Sequence, residues 1–163
     1  MESHITWKKK WFGNVHEIFN NGKHVGNITS KAFSYNSYAL YEEHRIKFQT
    51  NGFLKQKTDI INEDTNTILG TITYNTLKSK GLINLESEQL EWRSVVWTNS
   101  RWEILRGNEI IISSNNRMLD GSIVSIEDNP VKILIGLYIS EFFNRSNIIA
   151  IMAIFIVFIA ALN

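Results

Sequence analysis

Glu17-Ile18-Phe19-Asn20-Asn21-Gly22-Lys23-His24-Val25-Gly26-Asn27-Ile28 reads as strand, polar turn, strand, and the chain repeats that pattern twice more. The second copy is Asp59-Ile60-Ile61-Asn62-Glu63-Asp64-Thr65-Asn66-Thr67-Ile68-Leu69-Gly70-Thr71-Ile72. A looser third copy is Trp102-Glu103-Ile104-Leu105-Arg106-Gly107-Asn108-Glu109-Ile110-Ile111-Ile112. The period is roughly 42 to 44 residues. One hairpin cannot bury its own apolar face, so a hairpin repeated at this spacing calls for a sheet that closes on itself.

Outward from these hairpins, residues 4 to 127 keep an apolar period of two, interrupted every six to ten residues by Asn, Gly, Asp or Ser. Ile5, Trp7 and Trp11 share one strand face, Tyr38 and Leu40 another, Ile46 and Phe48 a third. Ile68, Gly70, Ile72 and Tyr74, then Leu90 and Trp92, then Trp102 and Ile104 continue the alternation, each set facing one core. Asn21-Gly22, Asn51-Gly52, Gly107-Asn108 and Asp120-Gly121 supply residues that tolerate positive φ in tight turns. The expectation is a mainly β fold, a closed antiparallel barrel of about twelve strands.

The single proline, Pro130, marks where the text changes. Residues 131 to 143, VKILIGLYISEFF, are apolar nearly all round if helical, and such a helix is buried on every side. At about 1.5 Å per residue it is some 20 Å long, close to the height of a small barrel and short of a bilayer core. Asn144-Arg145-Ser146-Asn147 then interrupts, and residues 148 to 162, IIAIMAIFIVFIAAL, contain no polar side chain. The reading is a barrel domain over 1–145 with a central helix at 131–143, followed by a second apolar helix over 146–163. Fifteen apolar residues fall below the usual spanning minimum of about 17, although Ser146, Asn147 and Asn163 extend the uncharged stretch. A membrane anchor and a short packing or oligomerising helix both fit that length.

Composition narrows the function. There is no cysteine, which removes disulfides, thiolate metal sites and thiol nucleophiles. Lys plus Arg (17) nearly balances Asp plus Glu (16), against a nucleic-acid partner. MESHITWKKKWF lacks the apolar core of a secretory signal, so the barrel is expected to stay on the side where it is made.

The hairpin text, with an apolar residue and glycine after each short turn as in Val25-Gly26 and Leu69-Gly70, resembles that of the tubby C-terminal-like superfamily, which includes phospholipid scramblases and LURP-one-related proteins. Lys132, an apolar run, Gly136, Glu141 and the pair Phe142-Phe143 resemble the C-terminal helix of scramblases in order and spacing. The resemblance covers residues 5 to 143. It implies a helix threaded through a twelve-strand barrel, which leaves 148 to 162 no room inside and favours lipid or another subunit as its partner. Arg145 and the N-terminal basic residues would then hold the barrel on the cytoplasmic face.

Chemistry-bearing clusters are few. Trp7-Lys8-Lys9-Lys10-Trp11 combines interfacial aromatics with basic side chains suited to an anionic lipid surface; the same five residues also read as core tryptophans beside a solvated, edge-protecting lysine face. His4, His16, His24 and His44 lack metal-ligand spacing, and Asp59, Glu63, Asp64 and Asn66 lack that of a calcium loop, so neither metal nor cofactor is expected. No nucleophile–base order or phosphate loop occurs. The expected function is a nonenzymatic, membrane-tethered barrel that binds membrane lipid or a protein partner, homo-oligomers included. Phospholipid scrambling and a soluble carrier of small apolar ligands, with an open lumen, are the alternatives.

Overall fold

Each of the three repeated hairpins contains one residue too many on its second strand. In the computed structural model, which describes residues 3–31, 34–52, 56–96 and 98–146 and carries the last helix to Ala161, twelve strands alternate with tight connections. They are β1 (Ser3–Lys9), β2 (Val15–Asn20), β3 (Lys23–Ser30), β4 (Ser37–Tyr41), β5 (His44–Asn51) and β6 (Lys57–Asn62). The second half comprises β7 (Thr67–Asn75), β8 (Lys80–Leu85), β9 (Gln89–Ser94), β10 (Arg101–Arg106), β11 (Glu109–Asn116) and β12 (Asp120–Ser125). In β2–β3, Ile18 faces Gly26 while Phe19 faces His24, so Val25 bulges out. Leu69 bulges in β6–β7, between the pairs Ile60–Gly70 and Ile61–Ile68. Ile111 does so in β10–β11, between Ile104–Ile112 and Leu105–Ile110.

A bulge bends its strand and sharpens the local twist, which helps a sheet curl shut. Two of the copies follow the bulge with glycine because the next strand passes there: a Cβ on Gly26 would lie 1.9 Å from the Leu40 carbonyl oxygen, and one on Gly70 2.4 Å from that of Asn84. All neighbouring strands are antiparallel and consecutive, and β12 closes on β1 through pairs such as Ile5–Ile123, forming a closed twelve-strand barrel. Closure leaves no strand edge exposed.

Helix α1 (Pro130–Ala161) fills the interior with its section from Val131 to Phe143. Asn129 caps it, its side-chain oxygen accepting from the Lys132 amide at 3.2 Å, and Pro130 takes the first helical position, where no amide is needed. Lys132 through Ser140 are buried without a break, so side chains on every side of the helix meet the wall. Tyr138 stacks on Phe48 (4.2 Å between ring centroids), Phe142 on Tyr74 (3.9 Å) and Phe143 on Trp92 (5.1 Å).

Several expectations need correction. Trp11 is not on a strand, because β1 ends at Lys9, and it lies exposed in the following connection. Tyr38 and Leu40 are on the outer wall; β4 buries Ser37, Ala39 and Tyr41 instead, and the first two are small side chains that leave room for the helix. Ile68 is exposed because the Leu69 bulge inverts the alternation between it and Gly70. Asp120-Gly121 opens β12 and is not a turn; Gly121 lies beneath the Trp7 indole.

The expected helix break at 144–147 is absent. Through Ser146 the polar side chains satisfy themselves without ending the helix: Arg145 donates to the carbonyls of Ser34 (2.7 Å) and Lys31 (2.8 Å), and the Ser146 hydroxyl donates to the Phe142 carbonyl (2.9 Å). These residues mark where the helix passes the barrel mouth. Among the described residues, no helix is long and apolar enough to cross a membrane. The side chains of 147–163, on which the expected second helix and anchor depend, lie outside the described residues.

Candidate functional site

The direction of α1 distinguishes two ends of the barrel, an upper one where the helix begins and a lower one where it leaves. At the upper end the Lys132 ammonium sits between Glu88 (2.5 Å) and Glu127 (2.6 Å), and Arg106 donates to the same two carboxylates. The Glu127 carboxyl lies below its usual range because Arg106 and Lys132 donate to it. Burial raises that of Glu88, but hydrogen bonds from Lys132 and Arg106 outweigh the effect and the net shift is also downward. This alternating quartet fastens the helix start to the β8–β9 connection.

At the lower end Glu141 faces Lys9 (3.2 Å) and His16 (3.6 Å). Burial, aided by the nearby Lys9 ammonium, depresses the His16 imidazole to about 3, so it is neutral near pH 7. Beside it the Trp7 indole donates to Asn116 Oδ1 at 3.1 Å. The hydroxyls of Thr50, Thr58, Tyr74 and Tyr138 form a further cluster, with burial holding both phenols above their usual range.

The Trp7–Trp11 segment therefore divides three ways. Trp7 is buried and Lys9 points inward to the helix; Lys8 lies on the outer wall over the Phe19 ring (5.8 Å); Lys10 and Trp11 stand in the exposed connection. Of the helix residues singled out in the sequence, Lys132 and Glu141 anchor the two ends, Gly136 lets the Trp102 indole lie against the helix, and Phe142 and Phe143 close the aromatic layer.

The sequence reading missed a contrast between the ends. The upper connections, 21–22, 42–43, 63–66, 86–88, 107–108 and 126–129, hold eight acidic residues (Glu42, Glu43, Glu63, Asp64, Glu86, Glu88, Glu127, Asp128) and no Lys or Arg. Among the described residues, the lower connections, within 10–14, 31–36, 52–56, 76–79, 95–100 and 117–119, hold no acid and four basic residues, Lys10, Lys31, Lys78 and Arg117, the last of which pairs with Asp120 at the start of β12 (2.8 Å). The lower connections also present large apolar groups to water: Phe12 is 97% exposed, Leu77 99%, Met118 76% and Trp11 61%. Ile68, Ile110 and Ile126, toward the upper end, are exposed between 43% and 64% with no basic residue in their connections. Sorting the connections by parity, odd-to-even against even-to-odd, would have exposed this contrast in the sequence alone.

Elsewhere, a groove of about 250 Å³ on the outer wall of β10–β12 is lined by polar groups including Arg101, Glu103, Ser113 and Asn115; Arg93 already binds Glu103. Among the described residues, no three His, Asp or Glu side chains converge as metal ligands. No protein-family model, curated protein or solved structure matches this chain.

Proposed function

We propose that the chain is a nonenzymatic, membrane-tethered barrel of the tubby and scramblase-like type, which binds lipid or a protein partner and stands on the cytoplasmic face of the bilayer. One observation carries the reading: α1 already fills the barrel through Phe143, so the apolar sequence 148–162 has no place inside. Left in water, that sequence would form an apolar surface larger than a soluble monomer tolerates. Residues 144 to 161, if helical throughout, would reach about 27 Å from the mouth, close to the thickness of a bilayer core. Arg145 is the one charged residue in that stretch and lies at its start, where a positive flank is retained on the cytoplasmic side. The family reading rests on the hairpin text and on the order Lys132, Gly136, Glu141, Phe142-Phe143. A soluble carrier would need an open lumen, and α1 occupies it.

Flotation with vesicles after alkaline extraction tests the tether. The full chain should stay with the lipid, and a chain ending at Ser146 should be released from it. Equal partitioning of the two would remove the tether from this reading.

A further inference from the structure

The contrast between the two ends assigns an orientation and a lipid class. We propose that the lower end is a docking face for an anionic bilayer, with Trp11, Phe12, Leu77 and Met118 entering the interfacial layer while Lys10, Lys31, Lys78 and Arg117 lie at headgroup level. The inference rests on the tethered reading for the bilayer's presence beside the barrel, and adds which face meets it and what lipid it prefers.

Three observations support it. First, folding alone gives no reason for Phe12 and Leu77 to be almost wholly in water, since neither side chain packs on the barrel. Second, each of these apolar tips shares its connection with a basic residue: Lys10 precedes Trp11 and Phe12, Lys78 follows Leu77, and Arg117 precedes Met118. Apolar groups that insert, next to cations that stay at headgroup depth, match the layered structure of a membrane surface. Third, the end whose connections hold no acid is the one where α1 leaves toward the apolar sequence 148–162; the acids at its margin, Asp120 and Glu141, are each paired with a cation (Arg117 at 2.8 Å and Lys9 at 3.2 Å), while the eight acidic residues of the upper connections are on the opposite end, where they do not oppose an anionic surface. A second copy is a poorer occupant. The matching acidic surface is on the other end of the barrel, so self-association would run head to tail into open filaments.

The test uses the full chain, whose lack of cysteine lets single substitutions carry an environment-sensitive fluorophore. Phe12→Cys and Leu77→Cys report the lower end, and Asp64→Cys and Asn108→Cys the upper end; all four lie in tight connections outside the core. The chain is reconstituted into vesicles of phosphatidylcholine alone or with anionic phosphatidylglycerol. Flotation is read beside quenching by aqueous acrylamide and by a lipid-borne nitroxide.

In anionic vesicles, labels at 12 and 77 should be shielded from acrylamide and quenched by the nitroxide, with labels at 64 and 108 showing the reverse. Lys10→Glu with Lys78→Glu should lower the docked population by about tenfold or more, at roughly fivefold for each basic side chain at an anionic surface. If the chain floats but 12 and 77 are as open to acrylamide as 64 and 108, the tether stands and the docking face falls. Shielding without nitroxide quenching would mean that this end meets protein, and would overturn the proposal. Equal docking on uncharged lipid would overturn the anionic preference. Flotation with anionic vesicles alone, with 12 and 77 shielded, would keep the docking face and remove the tether; no flotation would remove both.

Discussion

Gly136→Leu gives opposite signs for a threaded helix and for one lying outside the barrel. A Cβ at this position would lie 2.5 Å from Cη2 of Trp102 and 2.7 Å from its Cζ3, with Ile104 Cδ1 at 3.2 Å. Carbon atoms pack at about 3.5 to 4.0 Å, so even this first atom overlaps by roughly 1 Å. Trp102 and Ile104 are fully buried, and Trp102 is also held against Trp92, so neither can withdraw cheaply. Three further leucine carbons put the overpacking near the upper end of the usual range, about 3 kcal/mol. Replacing glycine in a helix returns up to about 1 kcal/mol. The net loss is therefore about 2 kcal/mol, or a fall in Tm of roughly 4 to 8 °C for a chain of this size. On an exposed helix only the propensity gain would remain, and Tm would rise by roughly 2 to 4 °C. Thermal unfolding of both proteins in one nonionic detergent reads the sign. Trp102→Leu should rescue part of the damage, leaving the double variant at least about 1 kcal/mol more stable than the sum of the two single losses. A Tm that rises in Gly136→Leu, or strict additivity with Trp102→Leu, would refute a helix packed on this indole.

Lys132→Met removes the ammonium while keeping most of the stem's volume, and should cost about 1 to 3 kcal/mol by urea titration, since two charged hydrogen bonds go but both carboxylates can regain some water; a loss below about 0.5 kcal/mol would show that the quartet does not hold the helix. Acid should weaken the fold in two steps. His16 is held down to about 3 against an unfolded value near 6.5, so its contribution is complete above about pH 6.5 and declines as pH falls toward 3, by about 2 kcal/mol between pH 6.5 and 4.5. Glu88 and Glu127, both shifted downward in the fold, lose their contribution only below the ordinary carboxylate range near 4.3. His16→Gln should flatten the urea midpoint between pH 6.5 and 4.5 and leave the lower step; an unchanged upper slope would place that titration elsewhere.

The barrel was legible because its turns and alternation are local. Asn21-Gly22 and Gly107-Asn108 do sit at hairpin tips, with Asn21 at φ +50°, Gly22 at +80° and Gly107 at +57°. The bulges were not legible, since one extra residue inverts the alternation without altering composition. Ile68 therefore looked like a core partner of Gly70 and Ile72 although it points outward. Asn144-Arg145-Ser146 looked like a helix stop because short polar residues such as Asn and Ser compete locally with helix; the partners of Arg145 and Ser146, namely Ser34, Lys31 and Tyr35, lie about 110 positions earlier in the chain and could not be counted. The division of the Trp7–Trp11 segment was not legible for a related reason: strand parity and the end of β1 send its five side chains to the interior, the wall and the rim.

The same charge separation that orients the barrel also fixes which way the helix threads it. A helix apolar on all sides has no amphipathic stripe to select its direction, and the lumen would accept it either way by apolar burial alone. The two charged residues of its section inside the barrel decide: Lys132 reaches Glu88 and Glu127 at the acidic end, and Glu141 reaches Lys9 at the basic end. Reversed, Lys132 would approach Lys9 and Glu141 would approach the two glutamates, burying like charges together. The backbone dipole adds to the same preference at the helix start, whose unpaired amides lie at the end that carries the eight acidic residues. Threading and docking thus share one cause, because the arrangement that admits the helix in this direction alone also places the rim with basic, acid-free connections where the apolar sequence leaves.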